Sequence, residues 1–168
     1  RNPFGITSSE RGCSVQDGNK YALYSSKGVG YIEKNKIMTN MEYANSYKIM
    51  ISKVTCEHAG EPDKNGQVKL LSSVRVLKPK EVCTDSYLIV GKYDRLEEAM
   101  NLLCYLKTKF ARFLILQAVT SINLSKEKFQ FVPLQDFSHP WTDEMLYKKY
   151  NLTEEEIAFI ESMIRPME

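Results

Sequence analysis

Residues 86–106 read SYLIVGKYDRLEEAMNLLCYL, and the pattern changes partway through. Ser86 to Tyr93 is a short run of bulky apolar and aromatic residues, which predicts a strand. From Asp94 the apolar residues Leu96, Ala99, Met100, Leu103, Cys104 and Leu106 recur at helical spacing. Asp94 suits a helix N-cap, and Glu97 and Glu98 then fall near the positive end of the helix dipole. A strand-rich region ends here and a helical one begins.

Strands are predicted upstream of this junction. Lys20 to Ser25 and Gly28 to Glu33 flank the turn Ser26-Lys27-Gly28. In Ser46 to Thr55, Tyr47, Ile49 and Ile51 alternate with Lys48, Met50 and Ser52. That predicts a half-buried strand with Lys48 pointing outward. Gly60, Pro62, Asp63, Asn65 and Gly66 mark a loop, and Gln67 to Leu77 a further strand region with a break at Ser72-Ser73.

Helices are predicted downstream. A second apolar run spans Phe110 to Val119. Lys126 to Val132 suits a short strand, and Thr142 to Tyr150 a short helix. Thr153 and Glu156 form a capping box for a last helix carrying Ile157, Phe159, Ile160 and Met163 up to Pro166. The predicted class is α+β: a strand-rich part over residues 1–93, then helices over 94–168 that end in a helical pair. Trp141, Leu146, Ile157 and Ile160 are expected to pack that pair onto the strand-rich part.

Composition sets limits on function. The 168 residues are 43% hydrophobic and 26% charged, ordinary for a globular chain. A chain of this size buries roughly 70% of its unfolded surface and needs no staple. Cys13, Cys56, Cys83 and Cys104 are widely spaced without a CxxC pair, and His58 brings no second ligand pair. Reduced cytosolic thiols are expected rather than zinc, with Cys104 in a core. No signal peptide or membrane-length apolar run is visible, so a cytoplasmic protein is expected. Arg1 is not a natural initiator, so the sequence reads as a piece of a longer protein. A net charge of +2 means that any nucleic-acid contact must be local.

Signatures of catalysis are incomplete. Asn2-Pro3-Phe4 lacks the second proline of an adenine-methylase turn. Pro62-Asp63 begins a nuclease metal motif that no later carboxylate–lysine pair completes. Gly28-Val29-Gly30 lacks the third glycine of a dinucleotide loop. Neither His58 nor His139 is tied to a cysteine by a local signature. No catalytic residue, metal site or cofactor is therefore expected within this chain.

Basic residues are the more informative group. Arg75, Lys78 and Lys80 fall in or beside one strand, near Lys69. Lys107, Lys109 and Arg112 cluster at a helix junction, and Lys48 and Lys53 lie on the Ser46–Thr55 strand. Such groups can neutralise phosphates, although for any single lysine a solvated face is the better explanation. Arg112 has a structural alternative, pinning the junction by bonding carbonyls or a buried acid, since Phe110, Phe113 and Leu114 surround it in sequence. Tyr21, Tyr24, Tyr31, Tyr43 and Tyr47 lie in the same half of the chain.

Four ordered segments resemble a known family. They are SYKIMISK (46–53), EVCTDSYL (81–88), NLLCYLKTKFARF (101–113) and a tail from Phe131-Val132-Pro133 through Trp141-Thr142-Asp143 and Leu146-Tyr147 to Glu156–Glu161. Together they resemble the carboxy-terminal region of bacterial restriction–modification proteins with an adenine-specific DNA methyltransferase domain. The tail is the most specific part, and residues 1–45 match poorly. The resemblance implies a target-recognition module positioning double-stranded DNA for an upstream methyltransferase domain of the same chain. S-adenosylmethionine belongs to that upstream domain. Whether the parent protein also cuts DNA stays open, as do two other classes of function: a protein-interaction or structural domain, and a Mg²⁺-dependent nuclease.

Overall fold

The computed structural model describes residues 2–56 and 61–167, so His58 and Gly60 lie outside the described residues. The fold is α+β, with strands concentrated in the N-terminal half and helices in the C-terminal half. The chain forms two compact units. One comprises Arg1–Lys53 and Ser73–Ala99, the other Val54–Ser72 and Met100–Glu168. Residue 93 thus lies inside unit 1, and the stretch 54–72 belongs with the helices of unit 2.

Unit 1 contains two three-stranded sheets. Strands β1 (Tyr21–Ser25) and β2 (Gly28–Ile32) form the expected hairpin, with Ser25 opposite Gly28. Gly28 takes φ +120° there, a conformation that glycine adopts without strain. Three-residue β5 (Glu81–Cys83) adds to β1 in parallel, with Leu23 beside Val82. In the second sheet β3 (Tyr47–Ser52) is central, flanked by β4 (Val74–Leu77) and β6 (Tyr87–Tyr93). A single helical turn, α1 (Met41–Ala44), precedes β3.

The core of unit 1 gathers Phe4, Leu23, Ile32, Met50, Leu77, Val82 and Cys83, with Ile89 packed against it. Burial of each large apolar side chain stabilises by about 1.5–3 kcal/mol. Met50 and Leu77 come from the sheet face that also carries Lys48, since Lys48 pairs with Leu77 and Met50 with Arg75. Ile49 and Ile51, on the opposite face, are also fully buried. β3 is therefore buried on both faces, and the expected outward orientation of Lys48 is corrected. Alternation along one strand shows that two faces differ, but not that one of them is wet.

Unit 2 is helical. α2 (Leu96–Lys107) starts two residues after the expected cap at Asp94, and its residues from Met100 onward belong to this unit. Thr108 leaves helical geometry and accepts a hydrogen bond from Ala111 N, so a new helix, α3 (Lys109–Ala118), begins there. α4 (Asp143–Lys149) is capped by Thr142. α5 (Glu154–Met163) has both halves of the Thr153–Glu156 capping box. The pair α4–α5 packs on α3: Phe110 stacks on Tyr150 at 5.1 Å, and Phe113 meets Phe159 edge-on at 5.8 Å. Leu146 and Ile160 are buried, as their spacing predicts, while Trp141 and Ile157 are half-buried.

Three local expectations are corrected. Residues 67–72 do not extend β4, because Leu70 takes φ +70° and breaks the extended run. They run instead beside the end of α5, where Val68 N donates to Met163 O and Arg165 N to Val68 O. Lys126–Phe129 is a 3-10 turn, closed by Lys128 N donating to Ser125 O, rather than a strand. Cys104 is exposed and Cys83 is the buried thiol, because Cys104 continues the exposed Leu96–Met100 stripe of α2 at i+4 spacing. Among the described residues, no helix is long and apolar enough to cross a membrane.

Candidate nucleic-acid interface

The incomplete catalytic signatures have local structural explanations. Asp63 closes its own turn, accepting hydrogen bonds from Asn65 N at 2.8 Å and Gln67 N at 3.1 Å. Those two backbone donors hold its carboxyl below the usual range. Asn2 Oδ1 accepts from Ile6 N, and Pro3 O accepts from Asn40 Nδ2, so this segment is an anchored loop. Among the described residues, no three His, Cys, Asp or Glu side chains converge as a metal site would require. One open hollow of about 620 Å³ lies along α4 and α5, lined by Tyr147, Lys148, Leu152 and Ile157 with the carboxylates Glu144 and Glu161.

The expected DNA-contacting residues fall into three groups. In the first, the charge is inside the protein. Arg112 is 1% exposed. Its Nε donates to Lys107 O and Thr108 O, and its Nη1 donates to Lys69 O at 3.0 Å and Arg165 O at 2.8 Å. The structural alternative therefore holds for Arg112: it ties the start of α3 to the 67–72 segment and to the residue after α5. Lys48 is fully buried too, and its Nζ donates to Ala44 O, Ser46 O and Lys78 O at 2.9–3.2 Å. Burial pulls its pKa down to about 8, while Glu81 nearby favours the charged form. Neither side chain reaches a surface where a phosphate could sit.

The second group is partly committed. Lys53 is half-buried and donates to Asp85 O. Lys109 is paired with Glu161, which also accepts from the Tyr147 hydroxyl. Burial, then Glu161, raises the Tyr147 pKa. The Lys109 and Phe110 amides donate to the Asp143 carboxylate at 3.0 and 2.8 Å, so the N-terminus of α3 already holds an anion. Desolvation raises the Asp143 pKa despite these two donors. Lys107 is half-buried at the end of α2.

The third group is exposed. Arg75 lies on β4 at the sheet edge, and Lys78 and Lys80 lie on the turn into β5, with Lys80 Nζ donating to Gly18 O at 3.2 Å. Arg75 and Lys78 are separated by roughly 10 Å of extended chain. Lys80 takes φ +64°, and this turn is held firmly. Lys80 N donates to Ala44 O, Ala22 N to Lys80 O, and Lys78 N to Glu81 Oε2 at 2.7 Å. The buried Lys48 ammonium anchors the same turn through Lys78 O.

Sequence reasoning missed the partner of Arg75. Its guanidinium lies over the Tyr24 ring, 5.0 Å from the centroid. Burial, then Glu81, raises the Tyr24 hydroxyl pKa. No local signal joins these residues, which lie on different sheets and 51 positions apart in the sequence. Arg75 is also unusual in its donors. Arg11 donates to Ser8 O and Glu10 O, Arg95 to Glu97, Arg165 to Asp63, and Arg112 to four carbonyls. Arg75 alone among the described arginines has no hydrogen-bond acceptor.

Comparison with family models, curated proteins and solved structures finds no match.

Proposed function

We propose that this chain is a double-stranded DNA-binding, target-recognition module of a restriction–modification adenine methyltransferase. The observation that carries the reading is the row Arg75, Lys78 and Lys80, exposed on β4 and on a turn braced by Lys48, Glu81 and Ala44. A rigid mount lowers the entropy lost when cations are fixed against phosphates. The ordered segments that resemble that family support the same reading. In it, the methyl transfer from S-adenosylmethionine belongs to an upstream domain of the same chain, and this module positions the duplex. The cytoplasm is the compartment that this reading implies.

The test is binding of the chain to duplex DNA as a function of salt. Each neutralised phosphate contributes about −0.9 to the slope of log K against log salt. Replacing Lys78 and Lys80 together by Ala is expected to weaken binding to all duplexes and flatten the slope by roughly two. The Lys107→Ala, Lys109→Ala pair is expected to leave the slope nearly unchanged, because Lys109 is already paired with Glu161. Salt-dependent binding that persists unchanged without Lys78 and Lys80 would move the interface elsewhere. Absence of duplex binding would overturn the reading in favour of a protein-interaction domain.

A further inference from the structure

We infer that Arg75 is a specificity-determining residue that reads a guanine edge in the duplex, with Lys78 and Lys80 as the phosphate contacts beside it. This rests on the DNA-binding reading above. A folded chain satisfies its arginine donors wherever it can, because a guanidinium carries five N–H groups in one plane. Every other described arginine does so here. Arg75 is exposed, lies over an aromatic ring with its Cζ 5.0 Å from the centroid, and makes none of these bonds within the chain. The cation–π contact restrains the guanidinium and leaves its N–H groups without an acceptor in the described chain. Guanine presents two acceptors, O6 and N7, on its major-groove edge, and an arginine fork matches both.

The surroundings assign the separate roles. Tyr24, beneath Arg75, is half-buried on β1 and lies beside Glu81. Glu81 accepts the Lys78 amide, so this carboxylate braces the turn that carries Lys78 and Lys80. Arg75 sits on an edge strand, the part of a sheet that can enter a groove. Lys78 and Lys80 are flexible point charges suited to phosphate oxygens rather than to a particular base. An exposed cation on an edge strand also protects against unwanted strand addition. Lysine serves that purpose as well as arginine does, so Arg75→Lys separates the two roles.

The experiment starts with the wild-type chain and a randomised duplex library, from which bound sequences are selected. The expected result is a site containing a preferred G·C pair. Arg75→Ala and Arg75→Lys should each reduce the preference for that pair over A·T by about 5- to 150-fold, and leave preferences at other positions in place. Tyr24→Leu, which removes the ring and leaves Arg75, should reduce the same preference by a smaller factor. If Arg75→Lys keeps the full preference, or if Arg75→Ala weakens all duplexes equally and flattens the salt slope by about one, Arg75 is a phosphate contact and the inference fails while DNA binding stands. A wild-type chain that binds duplexes without any sequence preference has the same meaning. A chain that binds no duplex overturns both readings.

Discussion

Two basic clusters look equivalent in the sequence and are used in opposite ways. Lys107, Lys109 and Arg112 crowd a helix junction in unit 2, and Arg75, Lys78 and Lys80 follow one strand in unit 1. In unit 2 the fold itself takes up the charge: Arg112 on four carbonyls, Lys109 on Glu161. In unit 1 the fold buries Lys48 completely, and that ammonium holds the turn on which Lys78 and Lys80 stand exposed, Lys80 making a single bond to Gly18 O. A cluster of cations therefore says little until the acceptors within reach are known. Helix ends and broken strands supply many unpaired carbonyls, and a nearby cation tends to be drawn into satisfying them.

The sharpest way to break this comparison is Arg112→Met. It keeps the bulk and removes donors to carbonyls of Lys69, Thr108, Lys107 and Arg165. Buried bonds to a charged donor are worth about 1.5–3 kcal/mol each and do not add fully, so a loss of about 3 kcal/mol or more is expected. Urea unfolding measures it. A loss below about 1 kcal/mol would mean that the junction does not depend on its cation.

Lys48→Met tests the counterpart in unit 1. Ala44 O and Lys78 O keep other donors, the amides of Lys80 and Glu81, so the expected loss at pH 7 is smaller, about 1–2 kcal/mol. The pH dependence is more telling. The Lys48 pKa is about 8 when folded and the ordinary value is 10.5, so between these limits the unfolded chain binds more protons. Stability then rises with pH through that window. Cys83 acts oppositely above pH 9, because burial pushes its thiol up to about 12 and only the unfolded chain ionises. The clean interval is pH 8–9, where wild type should gain stability and Lys48→Met should not. Parallel curves for the two proteins would show that the ammonium carries no burial penalty.

The smallest effect belongs to Lys109→Met. The Lys109–Glu161 pair is partly open to solvent, and such pairs are worth about 0–1 kcal/mol. A shift of this size in urea midpoint is expected, screened out at high salt. A larger, salt-independent loss would make Lys109 a structural cation like Arg112 and sharpen the contrast with unit 1.

Local periodicity carried much of the fold. The β1–β2 hairpin, β3, β6 and the Thr153 capping box follow from alternation, turn residues and cap spacing, all short-range signals. β5 was invisible because three residues hold no periodicity, and its parallel pairing with β1 spans most of unit 1. The 67–72 segment misled because its composition suits a strand while Leu70 takes a left-handed conformation. The candidate interface was readable as a list of cations but not as a surface. Exposure of Arg75 and burial of Lys48 on the same sheet face depend on which strand is central, and the contact of Arg75 with Tyr24 joins two different sheets.

The excursion of residues 54–72 into unit 2 bears on how the protein is made. These residues leave the ribosome before the rest of unit 1 is synthesised, yet the Val68 backbone bonds with Met163 and Arg165, about 95 residues later. At roughly 5–20 residues per second, their partners emerge about 5–20 s later. Val68, Leu70 and Leu71 are all buried in the finished protein, and the bonds of Val68 to Met163 and Arg165 can form only at the end of that interval. The segment therefore completes its pairing only after synthesis has passed through α5, although unit 1 can already have closed around its two ends.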